Sequence, residues 1–162
     1  MQSLYSNGFE HIYDAMYQTF INYNDEFLFY SNIINTYKKN NVLEIGCGSG
    51  NLAKYFISSS LNYAGLDLSE DMIALSKLKN PNGEFIQGDI TNFKLKKKVE
   101  SIIITGRTTS YLSNNIALND ALKSIYNNLS ENGILCFDFI DANRFFKVIN
   151  KGDQVTHKAS YN

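Results

Sequence analysis

After residue 40 the chain alternates short runs of apolar, β-favouring residues with segments whose apolar positions recur at helical spacing. The runs at 42–45, 63–66, 84–87, 101–105 and 134–139 predict five strands, several of them continuously apolar. Such strands are expected where helices cover both faces of a sheet. Between them, residues 52–58, 70–79 and 116–129 predict helices. In the last, Ile116, Leu118, Ala121, Leu122, Ile125 and Leu129 fall mostly on one face. Ser69 ahead of Glu70 and Asp71 predicts an N-cap, Asn80-Pro81-Asn82-Gly83 a break before the third strand, and Asn132-Gly133 the end of the long helix. This order of elements predicts an α/β fold.

Ahead of the first strand lies an aromatic-rich stretch: Tyr5, Phe9, Tyr13, Tyr17, Phe20, Tyr23, Phe27, Phe29, Tyr30 and Tyr37. Much of it reads as helix. A helix pair packed on the sheet accounts for most of these rings, with tyrosine serving as an apolar body carrying a wet hydroxyl. Tyr13 and Tyr17, one helical turn apart, can instead present two hydroxyls to a pocket. The chain is thus expected to divide into a helical covering segment (1–40), an α/β core (41–145) and a polar tail (146–162).

Composition narrows the class. A chain of 162 residues is long enough to bury a sizeable core as one domain. Its formal net charge of −1 gives no electrostatic case for nucleic acid or a membrane surface. Lys94–Lys98 reads as a solvated connection before a strand. No apolar run reaches the roughly 18–20 residues of a membrane helix, and the N-terminus lacks a secretory pattern, so a cytoplasmic location is expected. Cys47 and Cys136 have neither CxxC nor paired-histidine company, which predicts neither a disulfide nor a metal site. His11, among the aromatics, and His157, in the polar tail, suggest no catalytic role.

The chemistry concentrates in residues 42–53, where an apolar strand runs into Gly46, Gly48 and Gly50 and then into a helix. Glycines so spaced allow a sharp turn and let a ligand lie against bare main chain. In an open parallel sheet, ligands bind beyond the carboxyl ends of the strands, where the winding reverses. Polar residues stand at those ends. Asp67 closes the second strand, where a carboxylate can accept both hydrogen bonds of a ribose diol. Gly88-Asp89-Ile90 closes the third, and Thr105-Gly106-Arg107-Thr108-Thr109-Ser110 the fourth. Two nucleotide classes compete. Read from Gly48, Gly-Ser-Gly-Asn-Leu-Ala satisfies the dinucleotide fingerprint, but two residues late and with no task for Glu44 or Asp89. A mononucleotide P-loop lacks its lysine.

The arrangement resembles the class I S-adenosylmethionine-dependent methyltransferases, whose first motif is an acid, a spacer and alternate glycines. Glu44, Gly46, Gly48 and Gly50 match it in order. The resemblance spans roughly residues 9 to 145. It implies a Rossmann-like doubly wound sheet, mainly parallel, of strand order 3-2-1-4-5, and S-adenosyl-L-methionine as cofactor. It also implies that Gly46, Cys47, Gly48 and Gly50 meet the methionine portion, with Glu44 facing the cofactor side. Asp67 and Leu68 would lie at the ribose, Met72 near the nucleoside, and Gly88, Asp89 and Ile90 at the adenine. Thr105 closes the fourth strand beside them. The stretches 12–23, 65–72 and 87–89 look like the small-molecule branch that holds sugar-amine and glycine N-methyltransferases. There N-terminal tyrosines border the methionine end, which implies Tyr13, Tyr17 and Tyr23.

In-line displacement at a sulfonium mainly requires alignment in a dry cleft, so no strong base is demanded. Tyr13, Tyr17, Arg107, Thr108 and Ser110 are the candidates beside a small-molecule acceptor, for which an amine is one expectation. Arg107 suits a substrate anion or a surface acid. The family sheet ordinarily continues into two further strands. Residues 141–150 predict one short helix and 152–162 too little for both strands, so the apolar fifth strand is expected as an edge, with truncation of a longer protein favoured over a covering partner. A nicotinamide-binding oxidoreductase domain and a non-catalytic binding module stand as the alternatives.

Overall fold

A computed structural model describes residues 8–143 of the chain. The expectations placed on Tyr5, on the tail from 146 and its short helix, and on His157 lie outside the described residues. Two helices come first, α1 (Phe9–Tyr17) and α2 (Tyr23–Thr36). Then β1 (Asn41–Ile45), α3 (Ala53–Ile57), β2 (Asn62–Asp67), α4 (Glu70–Lys79), β3 (Glu84–Gln87), β4 (Val99–Ile104), α5 (Asn115–Asn128) and β5 (Leu129–Phe137) follow, with a short 3-10 turn at Thr108–Tyr111.

The strands form one sheet of order β3-β2-β1-β4-β5 in which every pairing is parallel. Both of its faces are covered, which explains the continuous apolar runs. On one face α2, α3 and α4 bring Tyr30, Ile34, Ala53, Phe56 and Ile73 against Val42, Tyr63, Phe85 and Ile103. On the other, α5 seats Ile125 on Leu43, Ile45, Leu66, Ile102 and Ile104, with Phe93 alongside. Each fully buried Val, Leu, Ile or Phe among them is worth about 1.5–3 kcal/mol. Strand alternation therefore puts Glu44 on the α2/α3 face, opposite Gly65 of β2 and Ile103 of β4.

Local signals explain the boundaries. The Ser69 hydroxyl accepts from Met72 N at 3.2 Å, the predicted cap of α4. Asn22 and Asn114 cap α2 and α5 in the same way.

Two expectations need correction. The long helix does not run to Asn132-Gly133: it ends at Asn128, and Leu129 is already extended and paired with Val99. Asn132, at φ 58°, instead lies in an irregularity within β5, after which regular pairing resumes from Ile134. The predicted apolar face of α5 is also only partly inward. Ile116 is 74% exposed, and Leu118 and Leu122 are exposed, whereas Ala121, Ser124, Ile125 and Asn128 are buried. Polar bonds replace apolar burial there. Ser124 and Asn128 donate to Phe93 O at 3.1 and 3.0 Å, and Asn128 accepts from Leu95 N at 2.7 Å. Among the described residues β5 pairs only with β4, and Phe137 and Phe139 are exposed.

Candidate active site

The site is built at the carboxyl ends of β1, β2, β3 and β4. As β1 ends, the backbone N–H groups of Gly46 and Cys47 both donate to Leu66 O, at 2.8 and 3.2 Å, tying the loop to β2. Gly46, Gly48 and Gly50 all take positive φ (81°, 51° and 77°), a region costly to residues with a Cβ. Their surroundings differ. A Cβ on Gly46 would stand 1.9 Å from Thr108 Oγ1, and one on Gly50 2.7 Å from Asn80 Nδ2. On Gly48 it would meet nothing within 4 Å, so this glycine borders open space.

That space is a hollow of about 650 Å³. Its walls are Gly46 and Gly48, Asp67 to Met72, Gly88 to Thr91, Tyr13, Gly106, Thr108 and the 111–117 region. Asp67 fixes the junction. Its Oδ2 accepts from Gly48 N and its Oδ1 from Ser69 N, both at 2.9 Å. A carboxylate offers about four acceptor positions, so acceptor capacity remains for a ligand hydroxyl. Burial raises the Asp67 pKa, opposed by the amides of Ser69, Gly48 and Leu68. Asp89 is tied down by Thr91, whose N–H and hydroxyl both donate to its Oδ1 at 2.8 Å. Met72 is buried in the wall, while Leu68 is exposed at the rim.

A second recess, of about 80 Å³, adjoins the first. Tyr13, Tyr17, Tyr23, Glu26, Glu44, Cys47 and Thr105 are among its walls. Tyr13, Gly46, Gly48 and Gly106 line both spaces, so among the described residues Tyr13 is the one with a side chain common to the two. Glu44 lies 2% exposed at the base, where its carboxylate accepts from Tyr63 Oη and, at 2.7 Å, from Thr105 Oγ1. Burial pushes its pKa up to about 7, against those two hydroxyls. The same burial raises the Cys47 thiol. Glu26 is raised by burial and then by the charge of Asp138, with Arg107 opposing.

Of the residues expected at a cofactor, the structure gathers all but one around these two spaces. Gly50 lines neither: it packs on α4, where Asn80 Nδ2 donates to its carbonyl at 3.1 Å. Among the acceptor-side candidates, Tyr13, Tyr17 and Thr108 line a space, and Arg107 and Ser110 do not. Arg107 is exposed at φ 61°, and its backbone N–H donates to the Asp138 carboxylate at 2.9 and 3.0 Å.

Sequence reasoning missed Asp14. Its Oδ1 accepts from Ser49 Oγ, from Asn51 Nδ2 at 2.7 Å and from Lys79 Nζ at 2.7 Å. Burial alone would raise this carboxyl, but the bonds from Lys79, Ser49 and Asn51 and the lysine charge hold it below the ordinary value. No spacing rule joins positions so far apart in sequence; only the fold brings them together. Among the described residues there is no cluster of metal-ligating side chains, and no helix is long and apolar enough to cross a membrane.

This sheet order, with a glycine loop between β1 and α3 and an acid closing β2, is shared with a known family. Residues 42–133 match the family described as "Methyltransferase domain", and the chain belongs to it, among the class I S-adenosylmethionine-dependent methyltransferases. Among its relatives is the dTDP-3-amino-3,4,6-trideoxy-alpha-D-glucopyranose N,N-dimethyltransferase of Streptomyces venezuelae. It is 28% identical over 100 residues, covering 62% of this chain and 42% of the relative. The crystal structure of Streptomyces venezuelae DesVI superposes with a TM-score of 0.77 at 24% identity, over 84% of this chain and 59% of that one. CalS10, an S-adenosylmethionine-bound amino pentose methyltransferase from Micromonospora echinaspora, superposes at 0.75 with 21% identity, over 86% of this chain and 59% of that one. The chain spans less than half the length of the curated relatives it matches. Membership decides between the two cofactors left open by the glycine register, in favour of S-adenosylmethionine.

Proposed function

We propose that the chain holds S-adenosyl-L-methionine across its two adjoining spaces and methylates the nitrogen of a small amine-bearing acceptor. Asp67 carries the reading: a carboxylate with spare acceptor positions stands in the wall of a 650 Å³ hollow directly under the open glycine, Gly48.

The residues fit the cofactor. Asp67 would hold the ribose diol, Leu68, Met72 and Ile90 would flank the base, and Asp89 would lie at its edge. The bare backbone of Gly46 and Gly48 would admit the methionine portion. Bound there, the cofactor supplies an electrophilic sulfonium methyl group. The chain's part is alignment and exclusion of water, which in near-attack geometry contributes several kcal/mol to lowering the barrier. Tyr13, Gly46, Gly48 and Gly106, common to both spaces, mark where the methyl would pass. An amine is favoured by the character of the recess. Among the described residues its ionisable walls are tyrosines, the Cys47 thiol and the acids Asp14, Glu26 and Glu44; Asp14 is already paired with Lys79, which leaves Glu26 and Glu44 to face an acceptor. An ammonium group is drawn to such walls, and Glu26 at the rim can take its proton so that the nitrogen lone pair is free to attack. The sugar-amine methyltransferases among the relatives point the same way.

Calorimetric titration tests the cofactor half. S-adenosylhomocysteine should bind and NADH should not, and Asp67→Ala should weaken the nucleoside by at least about tenfold. Equal binding by the variant would remove Asp67 from its role. For the acceptor half, amino sugars, hydroxy acids and carboxylic acids are offered with radiolabelled S-adenosylmethionine. Label recovered in an ester rather than on nitrogen would refute the amine assignment.

A further inference from the structure

Helix α1 carries Tyr13, the side chain shared by the two spaces, yet its apolar residues are half-buried or exposed and none is in the core. Glu10 is the only residue of α1 that is buried. Tyr13 stacks on Tyr17 at 4.0 Å between ring centroids, and Tyr17 on Phe20 at 5.0 Å, but these rings lie within the N-terminal region itself. Among the described residues, the polar ties seen from α1 to the core run through Asp14. Its Oδ1 gathers donors from two separate elements, Ser49 and Asn51 of the glycine loop and Lys79 at the end of α4. Lys79 Nζ also donates to Asn51 Oδ1 at 2.6 Å, and Asn51 Nδ2 to Ser49 Oγ at 3.2 Å, closing the network. Gln18 Nε2 donates to the other oxygen, Asp14 Oδ2, at 3.0 Å. Ser49 and Asn51 are each 6% exposed, which shields the inner bonds, whereas Lys79 reaches Asp14 from an exposed position, so the ion pair itself is open to screening by salt.

We propose that Asp14 is a positioning residue: with Lys79 it latches α1 onto the glycine loop, seats the Tyr13 ring between the two spaces, and so controls how fast the cofactor leaves. The latch rests on the cofactor reading above. Asp14 touches neither cofactor nor acceptor in this role; it acts through Tyr13. Opening it frees one side of the smaller recess while the sheet and the Asp67 wall stay in place. The sequence holds the complementary charges 65 residues apart, at the two ends of one ion pair.

The test uses the chain with S-adenosylhomocysteine as probe, in wild type, Asp14→Asn, Lys79→Met and the double variant. Stopped-flow release should accelerate about tenfold in each single variant and little further in the double, since both substitutions open one latch. Added salt should speed release from wild type and leave Asp14→Asn nearly unchanged. Hydrogen exchange without any nucleoside gives an independent readout: amides of α1 should exchange at least about tenfold faster in Asp14→Asn, with β1 and β4 unaltered. Unchanged release together with unchanged α1 exchange overturns the latch. Fully additive single variants overturn the pairing with Lys79. If wild type fails to bind the probe, the cofactor reading falls, while the exchange comparison still decides whether Asp14 holds α1.

Discussion

Glu44 should set a pH dependence that a single substitution removes. Its carboxyl is pushed up to about 7 by full burial, and the charges of Glu26 and Asp67 add to the rise, against the hydroxyls of Tyr63 and Thr105. Relative to the ordinary 4.5, this corresponds to on the order of 3 kcal/mol, at about 1.4 kcal/mol for each tenfold change in proton affinity. Between these values the folded chain binds more protons at this site than the unfolded one, so stability falls as pH rises. The contribution is whole below about pH 4.5 and lost as pH rises through about 7. Glu44→Gln is neutral throughout and lacks this slope, and its amide can donate to Tyr63 Oη once that hydroxyl turns. Urea unfolding of both proteins at pH 5 and pH 8, without nucleoside, isolates the effect from the other carboxyls. Wild type should lose about 2 kcal/mol or more relative to the variant across that interval. Parallel stability curves, or a gap that widens toward low pH, would refute the placement of Glu44 as a buried acid holding its proton.

Two further sites give sharp expectations. Gly46→Ala, with its Cβ forced to 1.9 Å from Thr108 Oγ1 at φ 81°, should lower stability by about 2 kcal/mol or more in thermal unfolding. Gly48→Ala faces open space and should cost only about 1 kcal/mol, yet abolish the rise in melting temperature on adding S-adenosylhomocysteine. Asn128→Ala strips a bond from Leu95 N and another to Phe93 O beneath α5, and should destabilise by about 2 kcal/mol in urea unfolding while leaving nucleoside affinity unchanged.

The sheet was largely legible because its chemistry is local. A strand covered on both faces must be continuously apolar, and residues 84–87 and 70–79 coincide with β3 and α4. The strand-end residues were legible for a related reason: Asp67 closes its strand and Gly46, Gly48 and Asp89 lie within three residues of theirs, and sheet topology alone brings those ends together. Three features escaped. Hydrophobic periodicity counts Ile116 and Leu118 as core and overlooks Ser124 and Asn128, because it cannot see buried polar groups that bond to a neighbouring loop. Gly50 sits in the motif yet packs on Asn80, since a glycine's spacing does not say which side of its Cα is crowded. The Asp14 network joins three stretches of chain and exists only once tertiary structure has formed.

The wall between the two spaces has a consequence for how such a chain can change. One side of the recess is glycine backbone, which offers nothing to vary without strain, and the other is the ring of Tyr13 on a helix that adds only Glu10 to the buried set. Selection, or a designer, can therefore rewrite Tyr13 and Tyr17 with the sheet left intact, whereas Tyr23, on α2, packs against the core. On the proposed reading of the recess, new acceptors become reachable by substitutions that cost the fold little.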